Sequence, residues 1–151
     1  MKIFEKKNYN ENTKDITNLL LNNEYNINQH NLIMNETDRT SIGLLFHENI
    51  IDTLDHADNK ERIDFYIKFL NNICFADYID RITFQKQIWQ FNEMTSLLKT
   101  FNNNYLLHKH IDNIKYNPKD DDGVRFTKVL TKYSTEFNNS IFLFNLCQQL
   151  M

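Results

Sequence analysis

Glycine and proline are nearly missing from this chain, with two glycines and one proline among 151 residues, against an ordinary share of roughly 7% and 5%. So few backbone breakers disfavour a turn-rich sandwich or barrel, and valine, a strong strand former, occurs only at Val124 and Val129. The same scarcity excludes chemistry. A phosphate-binding loop of the form G-x-x-x-x-G-K-[ST] needs two glycines five apart, whereas Gly43 and Gly123 lie 80 positions apart. The chain by itself is expected neither to bind nor to hydrolyse ATP. A basic excess is lacking too. Seventeen Lys and Arg against twenty Asp and Glu give 17 − 20 = −3, which argues against a free-standing nucleic-acid binder. The start MKIFEKKNYN has no apolar h-region, and runs such as Ile42–Phe46 and Ile141–Phe144 are too short to span a bilayer. A soluble, intracellular protein is expected, neither secreted nor in a membrane. The two cysteines, Cys74 and Cys147, sit in apolar helical stretches and read as small buried hydrophobes in a reducing compartment.

What is there is a helical pattern. With 41% hydrophobic residues, one domain of this length has enough apolar side chain for a core. Thr13 can cap a short helix carrying Ile16, Leu19 and Leu20, and a second short piece runs near Gln29–Asn35. Asp38 can cap a third, with Ile42, Leu45, Phe46 and Ile50 on one face. Asn59 can cap the next, where Ile63, Tyr66, Ile67, Leu70, Ile73 and Cys74 step by three and four and Phe65 and Phe69 add a second stripe, predicting burial on two sides. A helix after Ile82 carries Ile88, Phe91, Met94, Leu98 and Phe101. The one clear loop is Tyr116–Gly123. Val129, Leu130 and Tyr133 mark a short helix, and Leu143, Leu146, Cys147 and Leu150 a final one. The uncapped stop at Met151 reads as a piece cut from something longer. Twenty-three asparagines, scattered among periodic apolar residues, point to an AT-rich genome rather than to a low-complexity tract.

Chemical motifs are sparse. His108 and His110, two apart, point in different directions on a helix and read as solvated or capping residues. No histidine follows a glutamate by three, so the di-iron bundle motif is missing. Glu48 with Asp52, and Asp77 with Asp80, share helix faces and read as surface charge, since dividing acid and base roles would need a cleft that separates their pKa values. Asp120–Asp122 lack the calcium-loop spacing, which asks for an acid where Pro118 stands. Arg125, Lys128 and Lys132 read as a basic stripe on a solvated helix face. Trp89, the single tryptophan, has two readings at this point: core packing and contact with a partner. Neither a catalytic set, a metal site nor a cofactor site is expected.

Three segments, in order, resemble the C-terminal part of the large subunit of replication factor C, the sliding-clamp loader. Leu44–Ile51, LLFHENII, is similar to the family's apolar stretch ending in Glu-Asn before an aromatic or aliphatic pair. Ile73–Trp89, ICFADYIDRITFQKQIW, resembles the segment in which an Asp, two apolar residues and an Asp precede a Trp by nine positions, here Asp77, Tyr78, Ile79, Asp80 and Trp89. Phe126–Met151 resembles a short Leu-Gly-Lys helix, a serine-rich turn and a following helix, with Thr131 in place of the family's glycine. Phe91 and its neighbours replace the family's Leu-Leu-Pro, and the ATPase core is missing. The resemblance implies an all-α bundle of about six helices in one domain, with linker-like helices over 1–43 and a collar-like region over 44–151. It implies a non-catalytic assembly piece of a clamp loader, a fragment, split subunit or degenerate copy, from a large DNA virus or another AT-rich genome. It would work in the nucleus or at a viral replication site. Its partners would be the other loader subunits through helix packing, and the sliding clamp and primer–template DNA through the assembled complex, with Trp89 as the DNA contact stacking on an unpaired base. The alternative is a viral, Bcl-2-like helical bundle that sequesters a host partner, which would need a very apolar central helix and a groove for a partner helix.

Overall fold

The computed structural model describes residues 9–54, 58–111, 114–118, 123–127 and 129–150. Among these residues the fold is all-α, without strands. The elements are α1 (Tyr9–Asn22), a one-turn α2 (His30–Ile33), α3 (Arg39–Thr53), α4 (Asn59–Lys86), α5 (Asn92–Leu97), α6 (Asn103–His110) and α7 (Val129–Leu150). A 3₁₀ turn at Ile27–Gln29 leads into α2, another at Trp89–Phe91 leads into α5, and a π turn at Leu98–Asn102 joins α5 to α6. Six of the helices exceed one turn, matching the expected bundle. The division expected after residue 43 falls inside α3.

The core forms where α1 lies along α3. Ile16, Leu20 and Leu21 from α1 meet Ile42, Leu45, Phe46 and Ile50 from α3, all buried. The four α3 residues are the face expected from their spacing. Phe65 and Phe69 of α4 close the other side, Phe69 lying 6.3 Å from Phe46, 6.1 Å from Phe65 and 5.8 Å from a stacked Tyr66 between ring centroids. Phe101, Leu107, Ile111, Tyr116 and Val124 complete the cluster.

Several local readings are corrected. Thr13 does not cap α1; it lies inside the helix described over Tyr9–Asn22, and the Thr13 carbonyl accepts a 2.8 Å bond from the Thr17 hydroxyl. Asp38 and Asp58, not Asn59, hold the N-cap positions of α3 and α4, neither through a side-chain cap bond. On α4 burial on two sides holds only in part: of the first stripe, Tyr66, Leu70 and Ile73 pack half-buried against the core. Phe65, Phe69, Ala76 and Thr83 face inward, whereas Ile63, Ile67 and Cys74 face solvent. Cys147 is exposed as well, so both cysteines are free but neither is buried. The helix expected to run on from Ile82 is interrupted, because α4 ends at Gln87, a non-glycine residue at φ 56°, with the Ile88 amide donating back to the Thr83 carbonyl at 3.0 Å. At the other end of the sequence, the expected short helix, turn and final helix are one uninterrupted α7. Of the Tyr116–Gly123 loop, residues 119–122, including Asp120–Asp122, lie outside the described residues.

Two buried asparagines hold the helices to the irregular segments. Asn49 donates to the Leu45 carbonyl at 2.8 Å and the Arg125 carbonyl at 2.9 Å, and accepts from the Arg125 amide at 2.8 Å and the Tyr116 hydroxyl at 3.0 Å. Both halves of its amide are thus fully used. Asn104 reaches the end of α1, donating to the carbonyls of Leu20 at 2.5 Å and Asn23 at 2.8 Å, and accepts from the Tyr25 amide at 3.0 Å. It supplies, from eighty residues away, the partners that terminal helix carbonyls lack.

Candidate functional site

A groove of about 740 Å³ runs between α3 and α4, closed along one side by α5 and the π turn and at one end by Arg125 and Thr127. The two helices are antiparallel here. Phe69 packs on His47 at 5.5 Å, while Asp80, further along α4, is tied to Lys99, whose side chain passes over Gly43. Leu44 and Ile51 on one wall and Tyr66, Ile73 and Phe84 on the other make the lining partly apolar.

The acidic pairs noted as surface charge are what organise the groove. Lys99 Nζ donates to Asp77 at 2.6 Å and to Asp80 at 2.5 Å. Burial pulls the Lys99 ammonium down, but hydrogen bonds from Asp77 and Asp80 outweigh it, and its pKa ends above the ordinary lysine value. Asp52, almost fully buried, pairs with Arg125 at 2.8 Å, and the same guanidinium donates to the Glu48 carbonyl at 3.3 Å. Arg125 therefore belongs to a buried ion pair against α3 and not to a solvated stripe; Lys128 lies outside the described residues, and Lys132 makes a weak 3.7 Å pair with Glu136 on α7. Arg39 pairs with Glu93 at 3.0 Å. All three cations of the lining are held by carboxylates. Glu36 and Glu48 keep side chains with no ion pair among the described residues, so the groove carries a net negative character. Among the described residues no three His, Cys, Asp or Glu side chains converge as metal ligands.

The histidine pair separates. His110 is exposed beside Lys68 at 3.2 Å, whereas His108 packs against the end of α1. Burial lowers the pKa of His108 from the ordinary histidine value, with Glu24 and the carbonyls of Leu20 and Asn23 pulling the other way.

Trp89 is not a core residue. It opens the 3₁₀ turn after Gln87, is 53% exposed, and meets the edge of another exposed ring, Phe84, at 5.4 Å. Ile88, Phe91 and Met94 beside it are also exposed, making an apolar knuckle at the end of α4.

An extended apolar surface lies on α7, where Leu143, Leu146, Cys147 and Leu150, the positions that mark the final helix in the sequence, are all exposed. Every described side chain of α7 is exposed, including Phe137, Ile141, Phe142, Leu143, Phe144, Leu146 and Leu150. At about 100° per residue these fall on two roughly opposite faces. Phe137, Ile141 and Phe144 make one; Phe142, Leu143, Leu146 and Leu150 make the other. No charged residue occurs from Phe137 to Met151. No helix among the described residues is long and apolar enough to cross a membrane.

Fold and surfaces together define a helical bundle with a mixed groove and an exposed apolar helix. Neither the protein-family models, the curated proteins nor the solved structures yield a match to the chain.

Proposed function

We propose that the chain is a non-catalytic assembly piece that joins a larger complex through α7, and, from the three resembling segments, that the complex is a sliding-clamp loader in which it takes a collar position. The observation that carries the assembly reading is α7, apolar on two opposite faces and exposed on both. A helix of that kind is stable when it lies between two neighbours, which is the situation of a helix in a ring of subunits.

Magnitude supports use of both faces. Phe137, Phe142 and Phe144 are 55%, 66% and 62% exposed. At roughly 200 Å² for a whole ring and about 25 cal/mol per Å², covering them yields on the order of 9 kcal/mol gross. Association itself costs about 4–15 kcal/mol. The gain from both faces is of the same size as that cost, so a stable complex draws on both faces of α7 together with the aliphatic side chains between the rings.

In this reading ATP hydrolysis belongs to other chains, and the site of action is the nucleus or a viral replication site. The exposed Trp89 is available to stack on an unpaired base at a primer–template junction, with phosphate contacts supplied largely by other subunits because this chain carries a charge of −3. The Bcl-2-like alternative asks for a very apolar central helix, and α4, the longest helix, keeps Ile63 and Ile67 in solvent, so the assembly reading is better supported. The test is co-expression with clamp-loader small subunits from the source genome. Stable co-purification that is lost on Phe142→Gln with Leu146→Gln is expected; purification of the chain without them refutes the clamp-loader assignment.

A further inference from the structure

The groove between α3 and α4 has apolar side chains on both walls, and α7 exposes apolar side chains on both faces. We infer that α7 of a second copy of this chain occupies the groove between α3 and α4, and reciprocally, so that two copies exchange their last helices. The inference goes beyond the proposed function and does not depend on it.

Three observations carry it. The first is the anchor spacing. Phe137, Ile141 and Phe144 stand at i, i+4 and i+7, the pattern by which an amphipathic helix seats in a groove between two others. All three are about half exposed or more, and apolar side chains on both walls of the groove, Leu44 and Ile51 against Tyr66 and Ile73, are placed to receive them. The second is charge. The lining has Glu36 and Glu48 in excess over its internally paired cations, and a whole second copy carries −3. A stretch without any charge, Phe137–Met151, is a surface of that copy that enters without adding repulsion. The third is position. Thr127 lines the groove and α7 begins two residues later, at Val129. Each helix therefore starts near the lip of its own groove, so a twofold pairing that brings the two lips together sets each helix beside its partner's groove. An exchange of identical elements about a twofold axis satisfies both surfaces at once.

The test is sedimentation velocity on the full chain across roughly a hundredfold range of concentration, as mass action requires. The wild type is expected to pass from monomer to dimer. Phe137→Gln with Phe144→Gln on the helix, and Leu44→Gln with Ile51→Gln in the groove, are each expected to weaken association at least tenfold; both pairs are neutral changes, and circular dichroism verifies that helix content is kept. Ile63→Gln with Ile67→Gln, on the solvent face of α4, is expected to leave association unchanged. An equimolar mixture of the helix and groove variants retains one intact helix-in-groove contact and is expected to associate more tightly than either variant alone. A wild type that stays monomeric overturns the inference. So does a groove variant that dimerises like the wild type, which would mean that α7 pairs with α7, and so does a mixture that associates no better than its parts.

Discussion

Replacing Asn49 by leucine keeps the number and branching of the side-chain heavy atoms and removes every polar contact that the amide makes. The consequences differ among its four partners. The Leu45 carbonyl still accepts its helical bond, and the Tyr116 hydroxyl has a second acceptor in the Gly123 carbonyl at 3.3 Å. The amide and carbonyl of Arg125 lose the partners described here, in a place where Asn49 itself is fully buried. An orphaned buried backbone group costs about 1–3 kcal/mol, so two of them place the loss near 4 kcal/mol. A domain of this size is held by about 5–15 kcal/mol in total. At about 2–4 °C of melting temperature per kcal/mol, Asn49→Leu is expected to melt roughly 8–16 °C below the wild type by far-ultraviolet circular dichroism. Hydrogen exchange supplies the local readout, since the Arg125 amide should lose its protection first. A variant within about 1 kcal/mol of the wild type, with the Arg125 amide still protected, would show that the segment carrying Tyr116 and Arg125 is held by other contacts and that the reasoning is wrong.

Three further outcomes are expected. Trp89→Ala, at an exposed ring on an exposed ring, should cost about 1 kcal/mol or less, against about 3–5 for a buried indole, and a larger fall in thermal melts would return Trp89 to the core and end its assignment to DNA. Gln87→Gly relieves a left-handed backbone position that a side chain disfavours by roughly 1–2 kcal/mol, so urea unfolding should show a gain on the order of 1 kcal/mol after the added chain entropy of glycine; an unchanged midpoint contradicts the strain. The lowered pKa of His108 means that the unfolded chain binds the proton more readily than the folded one, so this residue's contribution to stability is complete above the ordinary histidine value and is lost as pH falls below it toward the folded value; unfolding free energies at neutral pH and at pH about 5 should differ less in His108→Asn than in the wild type.

Local signals were legible wherever one periodicity dominated. Ile42, Leu45, Phe46 and Ile50 form a single stripe on α3, and all four are buried as their spacing predicts. On α4, Phe65–Phe69 and Ile63–Ile67 share the same four-residue step, and only packing against Phe46 and His47 selects the phenylalanines. The end of α4 was illegible because the left-handed position there is filled by glutamine, so the glycine that normally marks such a stop is missing. α7 was read as two helices because Ser134 and the Asn138-Asn139 pair favour caps and turns, a preference too weak to break a helix once formed. The ion pairs of the groove were hidden by distance along the chain. Asp77 and Asp80 meet Lys99 about twenty residues later, and Asp52 meets Arg125 more than seventy residues later, so no local pattern distinguishes them from surface acids. The asparagines, read as a mark of codon usage, include Asn49 and Asn104, whose bonds cross 76 and 84 residues.

The placement of α7 after the bundle also sets an order of events during synthesis. All sixteen members of the buried cluster precede Val129 in the sequence, so the ribosome has delivered them before the apolar helix is translated. At about 5–20 residues per second, with earlier segments folding first, the α1–α3–α4 cluster has seconds in which to close while the sticky surface does not yet exist. When Phe137 to Leu150 emerge, the competing apolar surface of their own bundle is already withdrawn from reach. What α7 then meets is the surface that a closed bundle leaves open, the groove between α3 and α4 included, and the neighbouring ribosomes on the same message carry further copies of it.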